Sequence, residues 1–105
     1  MIDRIPVFGI LGDMIRSFGD QATGALFNDE RVRQFAGVAR KAKLKLEALN
    51  AASRLDDLMV PPSNRLEKLS GDLKKFYSIR VDRQWRVIFK WINGEPHEVR
   101  IVDYH

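Results

Sequence analysis

The last third of the chain concentrates residues that can bind a phosphate and exchange protons. Arg86 lies within an apolar run, and the sequence finishes with Asp103, Tyr104 and His105. A guanidinium group matches a phosphate with paired hydrogen bonds, and histidine gains or loses a proton near neutral pH. RNA cleavage without a metal needs a base for the 2′-hydroxyl, a cation for the phosphoryl oxygens and an acid for the leaving oxygen. These four residues are therefore the candidate catalytic set.

Each candidate also has a structural interpretation. A histidine at the end of a sequence is usually exposed and inert, and Arg86 can be a strand cation that stacks on the neighbouring Trp85. The same residues therefore fit three classes of protein. These are a nuclease, a module that binds RNA, DNA or protein without cutting, and a purely structural domain.

Three strands are predicted to carry the candidate residues, over residues 76–81, 85–92 and 98–104. Their runs are rich in aromatic and β-branched side chains, which favour strands. Asp82–Gln84 is a short polar turn between the first two strands. The dipeptide Asn93-Gly94 tolerates positive φ, and it predicts a tight hairpin between the second and third strands.

The upstream part of the chain predicts two helices and two further short strands. Asp20 is a suitable N-cap for a helix that ends near Phe27, and a second helix is predicted from about residue 30 to residue 52. Residues 14–18 and 65–69 alternate as short strands. The second helix places apolar residues at three- and four-residue steps on one face, and these are Val32, Phe35, Ala39, Ala42, Leu46 and Leu49.

The resulting order, β-α-α-β-β-β-β, predicts an α+β fold. Sequential strands with short turns form a mainly antiparallel sheet, and the two early helices are expected to cover one of its faces together. Leu58 and Met59 are expected to turn inward after the second helix. The other face of the sheet is then free to form a groove, towards which the charged strand positions point.

Length and composition exclude several classes of protein. The chain has 105 residues, of which 45% are hydrophobic, and this suits one folded domain. It contains no cysteine, which excludes disulfides, a thiol nucleophile and a thiolate metal site. No motif for a metal or a nucleotide cofactor is present, and no apolar run approaches the ~18 residues of a membrane helix. We expect a cytoplasmic protein without cofactors, and residues 1–13 are interpreted as an N-terminal extension.

The basic residues cluster in the middle of the chain. Residues 31–91 carry 15 basic and six acidic side chains, a net charge of +9 in a chain whose total is +4. Such a segment predicts a polyanionic partner, and the alternative is a solubilising surface. The candidates for RNA binding are Lys68, Lys74, Lys75, Arg80 and Arg83 near the strands and Arg40, Lys41 and Lys43 on the second helix.

Four segments carry a resemblance to a known family. They are residues 64–72 (NRLEKLSGD), 77–81 (YSIRV), 84–89 (QWRVIF) and 99–105 (VRIVDYH). Together they resemble the HigB family of toxins, which belongs to the RelE/ParE-like superfamily of type II toxin–antitoxin systems. The resemblance covers about residues 14–105, which would form a RelE-like toxin domain.

The resemblance implies a ribosome-dependent mRNA endonuclease, with Arg86, Asp103, Tyr104 and His105 at active-site positions. It also implies a HigA-like helix-turn-helix antitoxin as partner, and contact with operator DNA through the antitoxin complex. The chain departs from the family at Ser70, where many members have a lysine that helps to bind the phosphate. Lys68, Lys74 and Lys75 are the candidates to replace it. The alternative is a catalytically weak homologue that binds antitoxin, RNA or DNA.

Overall fold

The computed structural model describes residues 14–104, so the predicted N-terminal extension and His105 lie outside the described residues. Two helices precede a four-stranded antiparallel sheet, and the predicted α+β class is confirmed. The helices are α1 (Gln21–Phe27) and α2 (Ala39–Ala51). The strands lie in the sheet in chain order, as β1 (Glu67–Lys68), β2 (Tyr77–Arg80), β3 (Trp85–Ile92) and β4 (Glu95–Asp103).

Two turns predicted from the sequence join the last three strands. In the β2–β3 turn the Asp82 carboxylate accepts hydrogen bonds from the amides of Gln84 and Trp85, each at 2.8 Å. The bond from the Trp85 amide is the main cause of the lowered pKa of Asp82. In the β3–β4 turn Asn93 has φ 54° and Gly94 has φ 80°, so both residues occupy the left-handed region. Such a turn matches the twist of the flanking strands.

The helices cover one face of the sheet and form the core with it. The Asp20 carboxylate caps α1 by accepting a hydrogen bond from the Thr23 amide at 2.7 Å. The buried Thr23 hydroxyl accepts a hydrogen bond from the Ile101 amide at 3.0 Å, which ties α1 to β4. The buried core residues include Leu26, Phe35, Val38, Ala42, Leu46, Leu49, Ile79, Val87, Phe89, Val99 and Ile101.

The second helix is shorter than its sequence pattern predicts. A single 3₁₀ turn, Arg33–Phe35, stands where the helix was expected to begin, and α2 starts at Ala39. Gly37 has low helix propensity, and Val38 adopts a non-helical conformation with φ −133° and ψ 3°. The break lets Phe35 lie edge-to-face against Trp85, with ring centroids 5.6 Å apart. Burial of Phe35 against the partly buried Trp85 ring therefore offsets the loss of a continuous helix.

The predicted strand at residues 14–18 is an extended segment with one parallel bridge, Phe18 to Val99. The Val99 amide donates to the Ser17 carbonyl at 3.0 Å, and the Gly19 amide donates to the Val99 carbonyl at 2.8 Å. The segment cannot continue as a strand because the chain turns at Gly19 to reach the α1 cap. It covers the outer edge of β4.

Two other local predictions differ from the structure. The strand expected at residues 65–69 is limited to β1, because Arg65 has a left-handed conformation with φ 47°. Leu58 is buried as expected, but Met59 is 57% exposed. Both belong to one 3₁₀ helix, Leu55–Met59, and consecutive residues of a helix point in different directions.

The last strand begins at Glu95, three residues earlier than predicted. Pro96 is tolerated there because β4 lies at the end of the sheet order, where one side of the strand has no full ladder. The register shifts between Ile88 and Lys90, and Glu98 has φ 51° at this irregularity. A bulge of this kind bends the strand and increases its twist.

Candidate active site

The face of the sheet that points away from the helices carries the charged strand residues. Directly paired residues of an antiparallel sheet share one face, and the register pairs Arg80 with Arg86, and Arg86 with Val102. Ser78 and Arg100 lie on the same face, since each is paired with Ile88. We call this surface the open face.

Arg86 is held on the open face by groups from three segments of the chain. Its Nη1 donates to the Ser78 hydroxyl at 2.8 Å and lies 3.5 Å from Oε1 of Glu67. Its guanidinium lies 4.6 Å from the centre of the Tyr104 ring. Within residues 14–104, the side-chain hydrogen bonds of Arg86 all use Nη1. The guanidinium is therefore fixed in position and keeps further donors for an anion.

The floor of the open face is apolar and buried. Phe76 is 6% exposed and Ile88 is 2% exposed, and both lie outside the main core cluster. Two cations cover Phe76, since Lys90 Nζ and Arg100 Cζ each lie 5.3 Å from its ring centre. Lys90 also donates to the Glu98 carboxylate at 2.8 Å, and this bond lowers the pKa of Glu98. The charged groups thus rest on a rigid support.

The three terminal candidates do not all share this face. Tyr104 lies against Arg86, but Asp103 is paired with Trp85 and so projects towards the opposite face. The Asp103 carboxylate accepts a hydrogen bond from Gln84 Nε2 at 3.1 Å, and the Tyr104 amide donates to the Gln84 carbonyl. Gln84 therefore fixes the end of β4. His105 lies outside the described residues, and its catalytic role stays a prediction.

A cationic groove adjoins the open face beside the end of β2. Two cavities of about 770 and 500 Å³ share Arg80 and Val81 in their walls. The basic residues that line them are Lys41, Lys45, Arg65, Arg80 and Arg83, and these five define the cationic groove. Arg80 joins the two surfaces, because it is the cross-strand partner of Arg86.

The predicted RNA-binding residues separate into different environments. Lys41, Arg80 and Arg83 line the cationic groove, whereas Arg40 is exposed beside a cleft between the helices. Lys43 donates to the Phe27 carbonyl at 2.6 Å and to Asp29 at 2.7 Å. Lys43 therefore links α1 to α2 and is not a free phosphate ligand.

The three lysines proposed to replace the missing lysine at Ser70 also differ. Lys68 is paired with Tyr77, which packs against the core, and its Nζ lies 4.8 Å from the Tyr77 ring. Lys68 therefore lies on the face opposite Arg86. Lys74 and Lys75 are exposed after a 3₁₀ turn, Gly71–Leu73.

Several residues of these surfaces were not among the sequence candidates, including Lys90 and Arg100 on the open face. Ser78 shares strand parity with Arg80, so alternation along β2 carried a signal for it. Identification of Glu67 required the register between β1 and β2, which the sequence does not specify. Lys45 follows Lys41 by one helical turn, and Arg65 is a loop residue with no periodic signal. The open face and the groove are thus assembled by tertiary structure.

Two further findings concern metal sites and membranes. Within residues 14–104, no group of three or more His, Asp or Glu side chains is arranged to hold a metal ion. Over the same residues, no helix has the length and apolar character needed to cross a membrane.

Comparisons with known proteins agree with the resemblance noted from the sequence. Residues 16–105 match the HigB-like toxin family, described as the RelE-like toxin of type II toxin-antitoxin system HigB. Toxin HigB-1 of Vibrio cholerae is 54% identical over 61 residues, which cover 51% of this chain and 64% of that protein. Endoribonuclease HigB of Proteus vulgaris is 33% identical over 61 residues, which cover 58% of this chain and 65% of that protein.

The matched segments span a little less than two thirds of the length of these two relatives. The family match is more extensive and includes β1 to β4, the whole of the open face and the cationic groove. The chain therefore belongs to the HigB-like toxin family, the RelE-like toxins of type II toxin–antitoxin systems.

Proposed function

We propose that this chain is a toxin that cleaves mRNA on the ribosome and so inhibits translation. The observation that carries the proposal is the fixed guanidinium of Arg86 on a face lined with cations. An immobilised arginine can stabilise the charge that develops on the phosphoryl oxygens without reorganising during the reaction. The name of the Proteus vulgaris relative, Endoribonuclease HigB, supports RNA cleavage.

The proposed reaction is acid–base catalysis that requires no metal. The 2′-oxygen of the RNA attacks the adjacent phosphorus, the bond from phosphorus to the 5′-oxygen breaks, and a cyclic phosphate and a 5′-hydroxyl are formed. Arg86 binds the phosphate, and Tyr104 beside it offers a ring for base stacking. His105 is proposed to take part in proton transfer at the end of β4, and Asp103, bonded to Gln84 on the opposite face, to hold that end in position.

The cationic groove is proposed to bind phosphates of the message or of ribosomal RNA. Phosphate contacts of this kind supply affinity and position the protein, but they read little sequence. Arg80 supports a continuous path, since it belongs to the groove and is paired with Arg86. We propose a HigA-like helix-turn-helix antitoxin as the partner, and contact with operator DNA through the antitoxin complex.

A second candidate is a homologue that binds antitoxin or nucleic acid but cuts slowly. The position of Lys68 favours this alternative. Ser70 stands where the family resemblance implies a lysine in many members, and Lys68 lies against Tyr77 on the opposite face. Catalysis would then depend on Arg86 with less cationic support than in those relatives.

The test is primer extension on a message that is incubated with purified toxin and a translation extract. The matched control is the same message with its start codon mutated, so that it is present but not translated. We expect cuts within the reading frame of the translated message and none in the control. Equal cutting of both messages would contradict ribosome dependence. No cutting of either, with antitoxin binding retained, would favour the second candidate.

A further inference from the structure

A carboxylate lies beside the arginine of the open face. Glu67 Oε1 is 3.5 Å from Arg86 Nη1, and the Glu67 side chain is 48% exposed. Its strand partner is Ser78, whose hydroxyl accepts the shorter bond from the same Nη1. Glu67, Ser78 and Arg86 therefore form one cluster, with the guanidinium anchored by the buried hydroxyl and the carboxylate loosely held at its outer side.

The register between β1 and β2 determines that the β1 side chain beside Arg86 is a carboxylate. β1 has two residues, and the pairing puts Glu67 opposite Ser78 and Lys68 opposite Tyr77. A shift of one residue would exchange the two faces and would bring Lys68 beside Arg86. The turn that follows holds the register, because the Leu69 amide donates to the Phe76 carbonyl at 2.9 Å. The open face thus receives a carboxylate from β1.

Two other carboxylates of the strands are placed differently. Glu98 accepts a hydrogen bond from Lys90 at 2.8 Å, and Asp103 is paired with Trp85 and bonded to Gln84. Glu67 contacts the guanidinium that would bind the phosphate, and its contact is long and single rather than bidentate. Such a carboxylate keeps lone pairs that can accept a proton from a bound RNA.

We propose that Glu67 is the general base of the cleavage reaction, an inference that rests on the proposed function. A phosphate bound to Arg86 lies about 2.8 Å from a guanidinium nitrogen, so the 2′-hydroxyl of the same linkage comes within reach of Glu67. Glu67 accepts the proton of that hydroxyl while the 2′-oxygen bonds to phosphorus. The bond to the 5′-oxygen breaks, and that oxygen receives a proton from a separate acid, a role left to His105.

The contact between Glu67 and Arg86 could also act against the phosphate, and this role predicts the opposite result. If Glu67 only competed with the phosphate for Arg86, its removal would tighten binding and preserve or increase the cleavage rate. If Glu67 is the base, its removal lowers the rate of the bound complex, because general acid–base catalysis contributes about 10²–10⁴-fold. The two roles therefore predict changes of opposite sign.

The experiment is single-turnover cleavage of a labelled message on programmed ribosomes, with toxin varied to saturation. We compare the parent with Glu67→Gln, which removes the charge and keeps the shape, and with Glu30→Gln as the matched control, since Glu30 is exposed and lies outside the open face and the groove. We expect Glu67→Gln to lower the maximal rate about 100-fold or more and to leave the half-saturating concentration equal or lower. Glu30→Gln should cut at the parental rate.

A second variant guards against a loss of structure. Glu67→Asp keeps a carboxylate, and we expect it to retain part of the activity. If the maximal rate of Glu67→Gln lies within about threefold of that of the parent, Glu67 is not the general base. The proposed function would stand in that case, because the parent still cuts the message. A parent that cuts no message would overturn the proposed function and this inference together. Antitoxin binding checks that all variants are folded.

Discussion

The two faces of the sheet are built from alternate residues of the same strands, yet one face is apolar and the other carries charged side chains. The face covered by α1 and α2 is apolar, and Val87 and Phe89 are fully buried there. The open face carries Arg86 and Lys90 at the intervening positions, above the buried ring of Phe76. Alternate residues of β3 thus contribute to the core and to the charged open face.

This division teaches how a small domain can hold a charged site without weakening its core. Hydrophobic burial against the helices supplies the free energy of folding. The open face needs only a thin apolar floor of Phe76 and Ile88, together with local bonds such as that from Arg86 to Ser78. Substitutions on the two faces should therefore have separable effects on stability and on cleavage.

The largest effect on stability is expected for Phe89→Ala on the covered face. Phe89 is fully buried and contacts the rings of Tyr77 and Trp91, and such truncations cost about 3–5 kcal/mol in the free energy of unfolding. Denaturant unfolding measures the change. Leu44→Ala is the matched control, because Leu44 is 59% exposed on α2, and it should change stability by less than about 0.5 kcal/mol. Equal losses in the free energy of unfolding of the two variants would contradict the assignment of stability to the covered face.

A smaller effect is expected from the cationic groove, and it should appear in binding rather than in the rate of the bound complex. Lys41→Gln combined with Arg83→Gln removes two exposed cations of the groove. The slope of log affinity for ribosomes against log salt concentration should become shallower by about 1 to 2, since each lost phosphate contact contributes ~0.7 to 0.9.

The matched control for the groove is the double variant Arg31→Gln, Arg33→Gln. It makes the same change in net charge at exposed positions that do not line the groove. An equal change of slope in both double variants would indicate a general effect of charge. The groove would then lose its proposed role in guiding the RNA.

Much of the fold could be predicted from local patterns. The bounds of β3 agree with the structure, and the tight turn at Asn93 and Gly94 follows from their tolerance of positive φ. The apolar stripe of the second helix also identified Phe35, Leu46 and Leu49 as core residues. Local conformational preference and periodic burial were sufficient in these cases.

The candidate site was less predictable, because it depends on register between segments distant in sequence. Glu67 meets Arg86 only when β1 pairs with β2, and that pairing is set across the loop between them. The orientation of Asp103 likewise depends on its pairing with Trp85. A shift of one residue exchanges the faces of a strand, so residue types alone could propose the catalytic set but not its arrangement.

The most direct test of the account is the cleavage rate of Arg86→Gln on programmed ribosomes. The matched control is Arg33→Gln, which removes an exposed arginine outside the site. The account predicts that Arg86→Gln lowers the single-turnover rate about 10²–10³-fold, with antitoxin binding and stability close to those of the parent, and that Arg33→Gln cuts at the parental rate. A rate for Arg86→Gln within about threefold of the parent would show that the phosphate is bound elsewhere and would contradict the assignment of the open face as the active site.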